Sequence, residues 1–112
     1  MFETRCRKIK LKEGSIDRVR EWAEEINRRK DEALETLRDE TVIIEAAFLD
    51  RTEQGDFLIY YMKAESFERV AEASRNTVHA IDAYHHQFTR DTYEEQKPLE
   101  LLIDLDRIEE VS

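Results

Sequence analysis

All three histidines of the chain lie in one short window together with an aspartate. At 100° per residue of a helix, His79, Asp82 and His86 fall on one side. Two imidazoles and a carboxylate in that arrangement could bind a divalent transition metal or exchange protons. The same pattern is also typical of the polar face of an amphipathic helix, so we assign no metal site from it.

His85 lies at the edge of this polar side, next to the apolar side of the same helical segment. A histidine at such a boundary either points into a crevice or bonds to nearby backbone. We predict that His85, His79 and Asp82 are the candidate catalytic proton carriers. Whether the protein is an enzyme stays open, and the sequence assigns no cofactor.

Aromatic residues provide a second set of candidates, because their rings can line an apolar pocket and their hydroxyls can orient a ligand. An aromatic residue on a central strand also commonly belongs to the core. Arg51 could clamp an anion, or it could pair with its neighbour Asp50 in a loop. The predicted ligand-binding residues are Trp22, Tyr60, Tyr61, Tyr84 and Arg51.

The elements that would position these residues follow from hydrophobic periodicity and from turn signals. They alternate between extended and helical segments, with no repeat and no linker. We predict a strand at 5–12, a helix at 16–38, strands at 42–49 and 57–62, a kinked second helix that begins at Phe67 and resumes over 80–91, and a final strand at 99–105.

This order predicts an α+β protein with βαββαβ connectivity in a single domain over residues 1–112. In a split βαβ topology the first and last strands are neighbours. The first segment is basic and the last is acidic, so Lys8 and Lys10 are expected to face Glu100 and Asp104 across the ladder.

The two middle strands are apolar on both faces, and two helices can cover only one face of a sheet. The other face would then expose a large apolar surface. Pairing with a second copy removes that surface from water, because one self-complementary patch serves both subunits. We therefore predict a homodimer formed through the sheet faces.

Composition narrows the function classes. The formal net charge of −9 repels nucleic acid at long range, so nucleic acid is not expected as a partner. Cys6 is the only cysteine, which rules out an intrachain disulfide and fits a reducing cytoplasm. No stretch approaches the ~18 apolar residues of a membrane span, so no membrane association is predicted.

Several segments resemble one family. They are Trp22–Arg29 (WAEEINRR), Ala47–Arg51 (AFLDR), Gly55–Met62 (GDFLIYYM) and His79–His85 (HAIDAYH). Together they resemble a small bacterial and archaeal family of unknown function within the dimeric α/β barrel superfamily, whose other members include antibiotic-biosynthesis-type monooxygenases and stress-responsive barrel proteins. The resemblance covers about residues 8–106. It implies a ferredoxin-like sandwich, with a four-stranded antiparallel sheet and helices on one face, that forms a dimeric α/β barrel.

The resemblance also implies a pocket between the helices and the sheet, but it brings no assigned activity. The main hypothesis is a homodimeric module of unknown function that binds a small ligand or has a regulatory role. The alternative is a small cofactor-independent enzyme of the monooxygenase-like or isomerase kind that uses His, Asp and Tyr side chains as proton carriers.

Overall fold

A computed structural model of the protein describes residues 1–111. Its elements follow the predicted alternation of strands and helices. They are β1 (Glu3–Leu11), α1 (Ile16–Arg28), α2 (Lys30–Glu40), β2 (Val42–Thr52), β3 (Gly55–Ala64), α3 (Phe67–Arg75), α4 (Ala80–Thr92), β4 (Tyr93–Pro98) and α5 (Ile108–Val111).

The four strands form one antiparallel sheet in the order β2-β3-β1-β4. The first and last strands are neighbours, as the split βαβ topology requires. The predicted α+β class and ferredoxin-like fold are therefore confirmed. Among the described residues no helix is both long and apolar enough to cross a bilayer.

The predicted long helix is two helices. Arg29 leaves helical geometry, with φ −105° and ψ 38°, and separates α1 from α2. The break falls where the apolar stripe is interrupted by Arg29 and Lys30, so no buried side chain holds the helix straight at that point. The kink predicted in the second helical region is present, since α3 ends at Arg75 and α4 begins at Ala80.

The helices cover one face of the sheet, which we call the helix-side face. The main core cluster joins this face to α1 and α4. It consists of the buried residues Ile9, Leu11, Val19, Trp22, Leu58 and Phe88. A smaller cluster of Val42, Ala64 and Val70 joins β2 and β3 to α3. Burial of these apolar side chains supplies the main driving force for docking the helices.

The prediction of a final strand at 99–105 is wrong, because β4 spans Tyr93–Pro98. Arg7 lies opposite Pro98, and Leu99 N–H still donates to the Cys6 carbonyl at 2.8 Å. Continuing this register would place residues 99–102 opposite Cys6–Glu3, yet among the described residues no backbone hydrogen bond to β1 follows the one from Leu99, and Asp104 and Asp106 bond Lys63. Residues 99–107 instead form an irregular C-terminal segment.

The expected charge pairs of β1 change with that register. Lys8 lies opposite Lys97, and Lys10 lies opposite Glu95. The Lys10 ammonium approaches Glu94 at 3.6 Å, so attraction between the two end segments exists but through other residues. The predicted pairing of Lys8 and Lys10 with Glu100 and Asp104 is wrong.

An irregularity between Val42 and Ile44 shifts the register of β2 against β3. Cross-strand partners share a face of the sheet. Glu45 lies opposite Met62, which places it on the helix-side face, whereas Phe48 lies opposite Ile59 on the other side. We call that other side the far face. A bulge of this kind re-aims side chains, and here it turns a carboxylate toward the helices.

Candidate ligand-binding crevice

A crevice of about 570 Å³ lies between the helix-side face and the helices. All four strands contribute to its floor, and α1, α2, α3 and α4 form its walls. Both apolar and ionisable side chains line it. Those that carry the argument below are Arg5, Arg7, Trp22, Glu40, Glu45, Tyr60 and His85.

Trp22 and His85 form the best-defined polar contact of the crevice. The indole Nε1–H donates to His85 Nδ1 at 3.1 Å. The Trp22 ring also stacks on Phe88, with centroids 4.4 Å apart and an interplanar angle of 5°, and this packing fixes its orientation. Because an indole nitrogen can only donate, His85 Nδ1 must be unprotonated and its single proton resides on Nε2.

The surroundings of His85 favour the same neutral form. Burial, assisted by the charge of neighbouring His86, lowers the pKa of His85 to about 4. At neutral pH the ring is therefore an oriented hydrogen-bond donor through Nε2. Neither ring nitrogen can accept a proton from a ligand, because Nδ1 already accepts from Trp22 and Nε2 carries the proton.

Tyr60 and Glu45 form a second polar pair in the crevice. The Tyr60 hydroxyl donates to Glu45 Oε2 at 2.9 Å. Burial raises the pKa of Glu45, and the hydrogen bond from Tyr60 offsets part of that rise. Burial and the nearby Glu45 carboxylate also raise the pKa of the Tyr60 hydroxyl. The tyrosine thus stays neutral and leaves the carboxylate as the basic member of the pair.

Glu40, the last residue of α2, adds another carboxyl group to this side of the crevice. Burial raises the pKa of Glu40 to about 7, and the carboxylates of Asp82, Glu45 and Asp39 add to the rise. A carboxyl group that titrates near neutral pH can both donate and accept a proton under ordinary conditions.

Two arginines of β1 line the opposite side. Arg5 Nη2 contacts Met62 Sδ at 3.9 Å, and its guanidinium lies over the Phe67 ring at 4.3 Å. Arg7 Nη1 donates to Gln96 Oε1 at 3.5 Å. Burial, followed by repulsion from the second guanidinium, lowers the pKa of Arg5. These contacts are all with neutral groups.

The polar residues His79, Asp82 and His86 each bond a different partner. His79, the residue before α4, contacts Asp39 through Nε2 at 2.7 Å, and that hydrogen bond raises the pKa of His79. Asp82 accepts from the Thr77 hydroxyl, and His86 contacts the Ser74 hydroxyl at 3.1 Å. Within residues 1–111, no group of three or more His, Cys, Asp or Glu side chains is placed to hold a metal ion.

Of the residues proposed from sequence, Trp22, Tyr60, Asp82 and His85 line the crevice, whereas His79 lines a smaller adjoining hollow of about 190 Å³. The remaining three lie elsewhere. Tyr61 pairs with Cys6 on the far face. The Tyr84 hydroxyl accepts from Arg18 at 3.1 Å on the α1–α4 side, and Arg51 bonds Asp56 at 3.3 Å beside the hairpin.

Sequence reasoning missed Arg5, Arg7, Glu40 and Glu45. A signal for the arginines was present, because alternation in β1 puts Arg5 and Arg7 on the same side as Ile9 and Leu11. Two charges on the buried side of a strand point to a polar cavity there. No such signal existed for Glu45, because its direction depends on the register shift in β2.

The chain is a ferredoxin-like α+β domain whose sheet and helices enclose a crevice lined by apolar and ionisable side chains. Residues 2–110 match the model of a family of unknown function, DUF6176, and the chain belongs to this family. None of the curated proteins matches the chain. Among solved structures, the chain is similar to a Bacillus cereus protein provisionally named an antibiotic biosynthesis monooxygenase, with 14% identity, a TM-score of 0.44 and 95% of each chain covered.

Proposed function

We propose that the protein is a homodimeric module that binds a small molecule in the crevice and performs no reaction on it. The observation that carries this proposal is the Trp22–His85 hydrogen bond, which presents the Nε2–H of a neutral imidazole as a fixed donor. A ligand carbonyl or hydroxyl oxygen would accept this bond.

The same bond argues against His85 as a catalytic base. Its Nδ1 lone pair is occupied by a donor that cannot accept a proton, and Nε2 already carries one. Taking up a second proton would break the bond to Trp22 and place a cation in a half-buried aromatic site. We therefore assign His85 an orienting role in ligand binding.

The dimensions of the crevice suit a drug-sized or smaller ligand, since pockets for such ligands span roughly 300–1,000 Å³. Its aromatic wall includes Trp22 and Tyr60, whose ring centroids are 6.3 Å apart. Flat apolar surfaces of this kind favour a ligand with a planar or apolar body. The few polar groups then set its orientation.

A second candidate function, a cofactor-independent enzyme, is favoured by a specific observation. The Tyr60–Glu45 pair and Glu40, with its pKa of about 7, place potential proton carriers on one side of the crevice. In this version a carboxylate of Glu45 or Glu40 removes a proton from the ligand, and the neutral Tyr60 hydroxyl assists. Asp82 at the crevice and His79 in the adjoining hollow would have only supporting positions.

Trp22 provides a direct test of ligand binding, because it is the only tryptophan of the chain and lies in the crevice. Small molecules retained by the purified protein would be identified by native mass spectrometry and then titrated while Trp22 emission is recorded. We expect saturable changes in emission that become about tenfold weaker in affinity in His85→Phe, since one oriented hydrogen bond is lost.

His79→Gln is the matched control, because it removes a histidine outside the crevice and should leave the affinity unchanged. If no compound altered Trp22 emission, or if both variants weakened binding equally, the proposed site would be wrong. Recovery of the bound compound in altered form, with conversion abolished by Glu45→Gln, would favour the enzyme.

The homodimer is supported by the far face. Phe48 is 62% exposed there, and Ile44 on the same face is also exposed. The C-terminal segment adds the exposed side chains of Leu101, Leu102, Ile103 and Leu105. Exposed apolar surface of this extent is typical of an interface, and a second copy would bury both sets at once.

Light scattering after size exclusion measures this directly. We expect wild-type protein to elute as a dimer and Phe48→Glu to dissociate, since each copy then places a charge in the interface. Val78→Glu is the matched control, because Val78 is 94% exposed away from the strands. A monomeric wild type would refute the dimer.

The lone Cys6 further supports our placing the protein in a reducing cytoplasm.

A further inference from the structure

We infer that Arg5 and Arg7 form an oxyanion subsite within the crevice, so that its ligand is a small organic acid with one carboxylate or phosphate group. This inference rests on the proposed ligand-binding function and specifies the chemical class of the ligand. Nothing in the family match assigns such a subsite.

The placement of the two arginines is the first step. They alternate along β1 on the helix-side face, opposite Met62 and Tyr60 of β3. Both line the crevice and both are half-buried. Each guanidinium carries a planar set of N–H donors, which can bind carboxylate or phosphate oxygens in bidentate fashion.

The second step is the lack of a protein counter-charge. Within residues 1–111, neither Arg5 nor Arg7 lies within ion-pair distance of a carboxylate, although acidic residues outnumber basic ones 27 to 18. Arg18, Arg29 and Arg51, by contrast, each have a carboxylate partner. Two half-buried like charges on neighbouring positions repel each other, and an anionic ligand group would relieve that repulsion.

The opposite wall of the crevice restricts the rest of the ligand. Arg5, Met62 and Glu45 lie in one row across three strands, so the backbones bearing Arg5 and Glu45 are about 10 Å apart. Glu45 and Glu40 on that side would repel a second anionic group. The ligand therefore has a single anionic group, and its other end is apolar or carries a hydrogen-bond donor such as a hydroxyl.

The test uses matched probes on the full chain: 4-hydroxyphenylacetate, its methyl ester and phenyl phosphate, each titrated against Trp22 emission. We expect wild-type protein to bind at least one of the two anions at least tenfold more tightly than the ester, since charge-assisted hydrogen bonds depend on the oxyanion. The stronger anion identifies the subsite as one for carboxylate or for phosphate. Raising the salt concentration should weaken only anion binding.

The double variant Arg5→Gln/Arg7→Gln should bind anion and ester with similar affinity. Arg20→Gln, an exposed arginine of α1 outside the crevice, is the matched control and should retain the preference. If the double variant does not fold, anion binding by the wild type that weakens with salt supports the subsite, and salt-independent anion binding overturns it. Equal binding of ester and anions by the wild type overturns the subsite but leaves ligand binding intact, whereas no binding of any probe overturns both.

Discussion

The two faces of the sheet treat buried charge in opposite ways. On the far face Lys63 is 1% exposed, and its ammonium contacts Asp104 and Asp106 at 2.7 Å each. On the helix-side face, Arg5 and Arg7 have only neutral partners and face carboxyl groups across the width of the crevice. On the far face the buried ammonium is therefore paired with carboxylates of the same chain. On the helix-side face the two guanidiniums remain without a carboxylate partner among the described residues.

The electrostatic consequences differ accordingly. The Lys63 ammonium donates hydrogen bonds to Asp104 and Asp106, which raise the pKa of Lys63 and lower the pKa of each aspartate. Each group thus stabilises the charged form of the other. On the helix-side face burial dominates and shifts Glu40 and His85 toward their neutral forms. We call Lys63, Asp104 and Asp106 the closed cluster, because its charges are paired within the chain and stabilise the fold. Arg5 and Arg7 have no such partner in the part of the chain that the structure describes and are suited to bind a ligand.

The largest expected effect tests the closed cluster. Asp104→Asn/Asp106→Asn leaves the Lys63 ammonium buried without a counter-charge, so we expect Tm to fall on the order of 10 °C and the C-terminal segment to detach. Adding Lys63→Met should recover part of the loss, because no unpaired charge then remains. Calorimetry and hydrogen exchange of residues 99–107 measure both effects. An unchanged Tm would show that this cluster contributes nothing to stability.

An intermediate effect is expected in the crevice. Trp22→Phe removes the donor to His85 Nδ1 while keeping most of the packing against Phe88. We expect a loss of about 1–2 kcal/mol in unfolding free energy, from one hydrogen bond and a small cavity. The pKa of His85 should rise from about 4, since Nδ1 can then accept a proton. An NMR titration measures it, and a constant pKa would refute the proposed tautomer.

The smallest effect concerns pH. Because burial raises the pKa of Glu40 to about 7, the folded chain binds more protons than the unfolded chain between about pH 4.5 and 7. Stability from this group is therefore lost as pH rises through that window. Glu40→Gln should match wild type at pH 5 and exceed it by about 1 kcal/mol at pH 8, as measured by urea unfolding. Exposed Glu13→Gln should show no such difference.

The sequence was sufficient for much of the fold because its periodic patterns are local. The apolar stripe of α1, the alternation in β1 and Gly55 at the hairpin, with φ of 127°, each predict their element without tertiary information. The prediction of the last strand at 99–105 was wrong for a physical reason. The leucines over 99–105 alternate as a strand should, yet the chain leaves β1 after Leu99, and Asp104 and Asp106 bond Lys63 on the far face.

The candidate site was only partly predictable. Trp22, Tyr60 and His85 could be proposed because aromatic and imidazole side chains at the edge of an apolar stripe commonly meet at a helix–sheet boundary. The chemical roles of these three residues could not be predicted from the sequence. The tautomer of His85 depends on Trp22, a residue far away in the sequence, and the raised pKa of Glu40 depends on its burial and on carboxylates from α4 and β2.

By itself the sequence determined the βαββαβ order, the helix faces and the acidic character of the chain, since each depends on neighbouring residues or on simple addition of charges. Tertiary structure alone decided which charges are paired. Glu45 faces the helices after a register shift in β2, and the segment after Pro98 leaves the sheet so that Asp104 and Asp106 reach Lys63. Charge pairing is set by distances between strands and helices, and residue spacing along a chain does not encode those distances.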